Sequence, residues 1–199
     1  VKHGTGRFGG DVRGQSAVEF ALVLPVFLLI LIALIEFAFA FSTLNSLNYT
    51  ARDVALTAAE GGDRSGTDCT ALQVLERELG QASNPGGVIA VEIYWSDQNG
   101  TLLSGQVNRY NRTGSLNCTG LDGVARTLPY TAAGSTYPES IRCNVLNGAS
   151  CVAGHTRLDT IGVRVTYAYG WKTPLGALLG GIGSPLFAAT QQMQMEPVL

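Results

Sequence analysis

The sequence predicts an α+β protein in which a long N-terminal helix, transmembrane in its first half and amphipathic in its second, packs on an antiparallel sheet of about four strands. Three observations carry this reading. Residues 17–41, AVEFALVLPVFLLILIALIEFAFAF, form one apolar run. A face of small apolar residues follows at helical spacing, and from Ile89 onward apolar residues recur in the period of strands.

The apolar run has about 25 residues, and at ~1.5 Å rise each a helix of that length crosses a ~30 Å hydrocarbon core. Lys2, Arg7 and Arg13 precede it, whereas Asp53, Glu60 and Asp63 dominate beyond Arg52. The basic-side rule then leaves the N-terminus in the cytoplasm and the C-terminal bulk outside. Pro25 is a kink candidate whose freed carbonyl a neighbour can satisfy. Past the run, Leu44, Leu47, Ala51, Val54 and Ala58 alternate steps of three and four, which gives one helix face suited to a sheet. Gly61-Gly62 ends that helix, a shorter one is predicted over 70–81 with Leu72, Leu75 and Leu79 inside, and Asn84-Pro85-Gly86-Gly87 stops it.

Ile89, Val91, Ile93 and Trp95 then alternate, Asp97-Gln98-Asn99-Gly100 is a turn sequence, and Thr101 to Val107 returns as the second arm of a hairpin. Positions 108–156 are dense in Gly, Asn, Ser and Thr without a sustained period and read as a long insertion. Ile161, Val163, Val165, Tyr167 and Tyr169 make the clearest period-two run. A final strand from Leu186 to Glu196 pairs with it across an apolar glycine-rich loop, Pro174 to Ser184. The domain reading is a leader at 1–14, the helix and its extension at 15–62, and an extracytoplasmic domain at 63–199.

Charged residues make up 14 % of the chain and its lysines are Lys2 and Lys172 alone, so no basic stripe is available for nucleic acid. The composition after position 60, rich in Gly, Ser, Thr and Asn, suits a loop-rich extracytoplasmic domain. All 4 cysteines, Cys69, Cys118, Cys143 and Cys151, lie beyond the apolar run, where an exported domain meets an oxidising compartment. Cys143 and Cys151 flank a segment with an Asn147-Gly148 step that suits a tight reversal, which leaves Cys69 for Cys118, although four cysteines permit other connectivities. A zinc site is the rival, disfavoured because no Cys-x-x-Cys pair exists and His155 is the one nearby imidazole. No metal, cofactor or small-molecule substrate is expected. Neither Gly-x-Ser-x-Gly nor His-Glu-x-x-His occurs, and His155 stands alone in the sequence, so no enzymatic activity is expected.

At the mouth of the apolar run stands Arg13-Gly14-Gln15-Ser16-Ala17-Val18-Glu19-Phe20, a basic residue, a glycine, and a glutamate five positions after the glycine. The motif resembles a type IV prepilin processing site. The resemblance implies cleavage between Gly14 and Gln15 by a prepilin peptidase, a cut that glycine favours by letting the backbone lie extended and close to the protease. It also makes Glu19 the fifth-position acid, beside Phe20. A carboxylate carried to the centre of a membrane helix costs about 2.5–3.5 kcal/mol, so Glu19 needs a partner, and in pilins that partner is the free amine of a neighbouring subunit.

RGQSAVEFALVLPVFLLIL followed by IEFAFAF, with a second acid at Glu36, is similar to the opening of TadE-like proteins. Val163-Arg164-Val165-Thr166-Tyr167, the apolar loop and the closing Met195-Glu196 resemble the end of that family, while residues 63–158 carry no such likeness. The resemblance implies a pilin-like fold and a minor pseudopilin of a Flp/Tad-type pilus. Its partners would be a prepilin peptidase, other pilins and pseudopilins, an inner-membrane assembly platform and membrane lipid, and its place the cell membrane or the pilus itself. The competing reading is a signal-anchored extracytoplasmic binding module that never polymerises.

Several features have plainer readings. Glu36 lies near the end of the span and can snorkel to water instead of pairing between subunits. Ala38-Phe39-Ala40 offers a small-x-small pattern for a signal peptidase, against which Glu36 and the bulky Phe41 argue. Asn48-Tyr49-Thr50, Asn111-Arg112-Thr113 and Asn117-Cys118-Thr119 fit the glycosylation pattern, which arises easily in an Asn/Thr-rich chain. Gly176, Gly180, Gly181 and Gly183 lack a following Gly-Lys-Ser/Thr and read as a flexible apolar loop instead of a phosphate cradle.

Overall fold

A computed structural model describes residues 12–146, 151, 155, 157–178 and 183–197, with the backbone alone at 12–15 and 82. Most of the expected leader, the Asn147-Gly148 step and the Gly180-Gly181 pair lie outside the described residues. The chain divides into two compact units. One comprises Val1–Phe39 with Trp171–Gly181, the other Ala40–Gly170 with Ile182–Leu199.

Helix α1 runs Val12–Gly61 and stays helical through Pro25. In the first unit its side chains are mostly exposed and apolar. In the second, Leu47, Ala51, Val54 and Ala58 have no exposed surface and Leu44 is half-buried, the face that the spacing predicts. Ala55 and Ala59 widen that face, and alanines let a helix backbone approach a sheet closely. The helix stops where Gly62 takes φ 64, a left-handed conformation that costs glycine little.

Helix α2, Thr67–Ala82, starts three residues earlier than its periodicity indicates because polar side chains, not apolar ones, occupy its first turn. Leu72, Leu75 and Leu79 are fully buried, each worth roughly 1.5–3 kcal/mol relative to exposure. That exceeds what the exposed Arg77–Glu78 pair on its outer side contributes, about 0–1 kcal/mol. A short 3-10 turn over Pro85–Gly87 follows, with the Asn84 side chain accepting from the Gly86 N–H.

The main sheet contains β1 (Val88–Ser96), β2 (Leu102–Asn111), β5 (Thr131–Ser135), β6 (Thr160–Ala168) and β7 (Leu186–Gln194) in the order β5-β2-β1-β6-β7, with every pairing antiparallel. The α+β class stands, with five strands in this sheet. The inner face carries Val91, Ile93, Ile161, Val163 and Val165, all fully buried with the helix residues above. On the outer face Glu92 pairs with Arg109 of β2 and, at 3.3 Å, with Arg164 of β6, a charge row across three neighbouring strands.

Two expectations are corrected. Ile89 does not share the inward face with Val91: it is 43 % exposed and Val88 is buried in its place. The β1–β6 register shifts between Val88 and Ala90, and one extra residue in a strand moves everything beyond it to the opposite face. The region 108–156 is not a structureless excursion. It contains the rest of β2, a separate hairpin of β3 (Leu116–Thr119) and β4 (Ala125–Leu128), and β5 on the edge of the main sheet. All five residues of β5 are exposed, so no buried face imposes an apolar alternation on its sequence.

Candidate functional site

The first unit carries Gly14, Gln15, Glu19 and Phe20, the residues that the sequence reads as a processing motif. Gly14 and Gln15 lie inside the first turns of α1. The first N–H groups of a helix have no intrahelical partner, so opening the chain at Gly14 sacrifices few hydrogen bonds. Glu19 and Phe20 follow on exposed helix, with Val18 and Phe20 turned outward. The most apolar stretch within Ser16–Gly61 has a mean hydropathy of 2.9 with none of it buried.

Glu36 differs from its neighbours on α1. It is 3 % exposed, although Ile35 and Phe37 on either side are 50 % and 70 % exposed. Its carboxylate accepts from the Thr173 N–H at 2.7 Å and from the Lys172 N–H at 3.1 Å and 3.2 Å to its two oxygens. Within its own chain the acid is held by the loop that carries Lys172 and Thr173. Backbone donors leave no mark in a sequence. The one available signal was that a carboxylate at the end of an apolar run needs a partner.

The second unit contains a polar network that sequence reasoning missed. Glu139 reaches across to the start of α2 and accepts from the Gly66 N–H at 2.9 Å and the Asp68 N–H at 2.7 Å, supplying the acceptor that helix N-termini lack. Asp68 accepts from Asn108 Nδ2 at 2.7 Å, from the Tyr110 hydroxyl at 2.7 Å and from Arg142 Nη2 at 2.5 Å. Asn108 also accepts from the Tyr137 N–H at 3.1 Å and donates to the Tyr137 carbonyl at 2.8 Å. Asp159 accepts from the Tyr137 hydroxyl at 2.6 Å and from the Cys143 N–H at 3.0 Å, and it lies 2.6 Å from His155 Nδ1. His155 therefore does not stand alone. Its ring stacks on Trp95 with centroids 4.2 Å apart.

Burial, reinforced by neighbouring carboxylates, raises the phenols of Tyr110, Tyr130 and Tyr137 well above the ordinary tyrosine range: Asp68 acts on Tyr110, Glu76 on Tyr130 and Asp159 on Tyr137. The hydroxyls thus stay protonated as donors to those acids.

Two disulfides frame the network. Cys69 of α2 joins Cys118 of β3 with a Cα–Cα distance of 5.9 Å, and Cys143 joins Cys151 at 5.4 Å. The first ties the β3–β4 hairpin to the helix whose start Glu139 caps. The second closes the loop between Arg142 and His155, so both bridges hold segments that present buried polar groups.

Among the described residues one helix is long and apolar enough to cross a bilayer, and it continues into an α+β unit braced by disulfides, which defines the class: an α+β protein whose helix fits a single-pass membrane anchor. Residues 14–56 match the family model described as TadE-like protein. The match begins at Gly14 and takes in Glu19, Phe20 and Glu36. No curated protein and no solved structure matches the chain.

Proposed function

We propose that this protein is a minor pseudopilin, a structural subunit in assembly of a Flp/Tad-type pilus, and not an enzyme. The observation that carries the reading is the TadE-like match over 14–56, which begins at Gly14 with Glu19 at the fifth position after it. A prepilin peptidase cuts after Gly14 on the cytoplasmic side and frees the amine of Gln15. Glu19, on the exposed apolar stretch of α1, then offers a carboxylate to the free amine of a neighbouring pilin. The pairing matters because an unpaired carboxylate at a membrane-helix centre costs about 2.5–3.5 kcal/mol. Apolar helices pack side by side as subunits leave the bilayer, with the inner-membrane platform, other pilins and pseudopilins, and lipid as partners. The domain beyond α1 lies outside the cytoplasm, where its bridges can form.

The non-enzymatic reading is supported by the burial of the His155–Asp159 pair: both side chains are 1 % exposed, out of reach of a substrate. The test is the intact mass and N-terminal sequence of the protein recovered from membranes of cells with its native export machinery. A mature chain starting at Gln15 is expected. A chain that retains Arg13 and Gly14 would sink the processing step, and a start at Phe41 would make the apolar run a discarded signal.

A further inference from the structure

The loop that occupies Glu36 has a composition and position that the proposed assembly role does not use. Glu36 follows Glu19 by 17 positions, about 26 Å along a helix, close to the ~30 Å thickness of a hydrocarbon core. A span that begins near Glu19 therefore ends near Glu36. At that depth a glutamate can extend its carboxylate to water. Here it turns instead to Lys172 and Thr173, whose N–H groups cover it until 3 % of the residue is exposed.

The covering segment is Trp171-Lys172-Thr173-Pro174-Leu175-Gly176-Ala177-Leu178, with Lys172 its only charged residue. It is folded on itself. The Ala177 and Leu178 N–H groups both donate to the Pro174 carbonyl at 3.1 Å, building the short helix α3, Leu175–Leu178. The Trp171 ring lies against Gly176 so closely that a Cβ there would meet it at 2.5 Å, so this turn needs glycine. Leu178 is left 61 % exposed, as is Phe37 beside Glu36 at 70 %. Tryptophan, a lone lysine and outward leucine form the combination that bilayer interfaces favour: an indole at headgroup level, an ammonium that reaches water, and an aliphatic tip in the acyl region.

We infer that Trp171–Leu178 is a membrane-docking loop, clasped to α1 through Glu36, which rests Trp171 and Leu178 in the interfacial layer of the same bilayer that α1 crosses. The occupant is lipid because the segment is hydrogen-bonded to Glu36 at the end of the apolar span itself and carries a tryptophan and an exposed leucine. The inference rests on α1 spanning a membrane and is independent of cleavage or polymerisation. The clasp gives the protein a second attachment to the bilayer and fixes how far along α1 the membrane surface falls.

The experiment uses the full chain, disulfides intact, in phosphatidylcholine vesicles whose acyl chains carry bromine at shallow or deep positions. An environment-sensitive dye is placed by Leu178→Cys and, in a separate sample, by Leu28→Cys at mid-span. The inference expects the 178 dye to be quenched most by shallow bromine and shielded from aqueous iodide, and the 28 dye to be quenched most by deep bromine. Quenching at 28 with iodide-accessible, bromine-insensitive dye at 178 would overturn the docking loop while leaving the anchor in place. Absence of quenching at 28 would overturn the anchor and the loop together. Glu36→Leu is expected to abolish the shallow quenching at 178 and Glu36→Gln, which keeps an acceptor, to retain part of it; an unchanged depth profile in Glu36→Leu would remove Glu36 from the device. Because the dye on Leu178 could itself perturb the turn, the fluorescence of Trp171 in a Trp95→Phe chain provides a label-free reading with the same expected order of quenching.

Discussion

Arg142 places its guanidinium 2.5 Å from the Asp68 carboxylate across 74 residues of chain, with the arginine side chain fully buried and the aspartate 8 % exposed. Removing one partner from such a pair leaves an uncompensated charge inside, at a cost of about 3–5 kcal/mol. Asp68→Ala is therefore expected to destabilise the domain by that amount in chemical denaturation, whereas Asp68→Ala combined with Arg142→Met is expected to recover part of it. A loss below about 1 kcal/mol in Asp68→Ala would show that water or another group takes over the arginine.

The raised phenols of Tyr110, Tyr130 and Tyr137 make stability fall in alkali. Each is protonated in the fold and ionises near its usual pKa of about 10 once unfolded, so its contribution is fully present below about pH 10 and is lost as pH rises further. Denaturation midpoints should be flat from neutrality to about pH 9 and drop beyond pH 10. Absorbance titration at the phenolate band should show these three ionising only with unfolding. Normal titration of all tyrosines in the folded protein would contradict the buried network.

The two bridges should differ in weight. Cys69–Cys118 closes a separation of 49 residues and Cys143–Cys151 one of 8. Chain-entropy arguments give about 4 kcal/mol for the first and about 2.5 kcal/mol for the second. Replacing Cys69 and Cys118 together by serine should lower the thermal midpoint more than the corresponding change at Cys143 and Cys151. The reverse order would mean that the short bridge holds Arg142 and His155 in place beyond its entropic share.

Glu19→Ala should leave the protein cleaved, folded and membrane-bound yet poorly incorporated into pili. Quantifying pilus number and the subunit's share of sheared filaments in that strain checks it, and wild-type assembly would count heavily against the proposed role of the carboxylate.

How much of this was legible in the sequence depended on whether a periodic buried face existed to be read. Leu47, Ala51, Val54 and Ala58 lie at helical spacing because one face meets the sheet, and Ile161, Val163 and Val165 alternate because one face of β6 is covered. β5 is exposed along its length and carries no pattern, so its place on the sheet edge could not be inferred. The polar network was hidden for another reason. Asp68, Asn108, Tyr137, Arg142 and Asp159 look like ordinary loop and surface residues, and what makes them interior is tertiary proximity over long separations. Glu36 was visible as an acid in an apolar run, but its partners are main-chain N–H groups without side-chain identity. The Ile89 error came from a single bulge, which period-two reasoning cannot place.

The strand order also bears on how the chain is made. β1 sits in the middle of the sheet, and although β2 follows it directly, its other neighbour β6 arrives only after the β3–β4 hairpin and β5. Val91 is paired with Val165 and Ile93 with Val163, so each waits for about 70 further residues before its second edge is closed. At a synthesis rate of about 5–20 residues per second, that is an interval of roughly 4–14 seconds in which a β-branched strand has an open side. For a domain that folds on the far side of the membrane, the open edge of β1 persists until β6 has crossed, so a pause between Asn111 and Thr160 would be more harmful than one on either side.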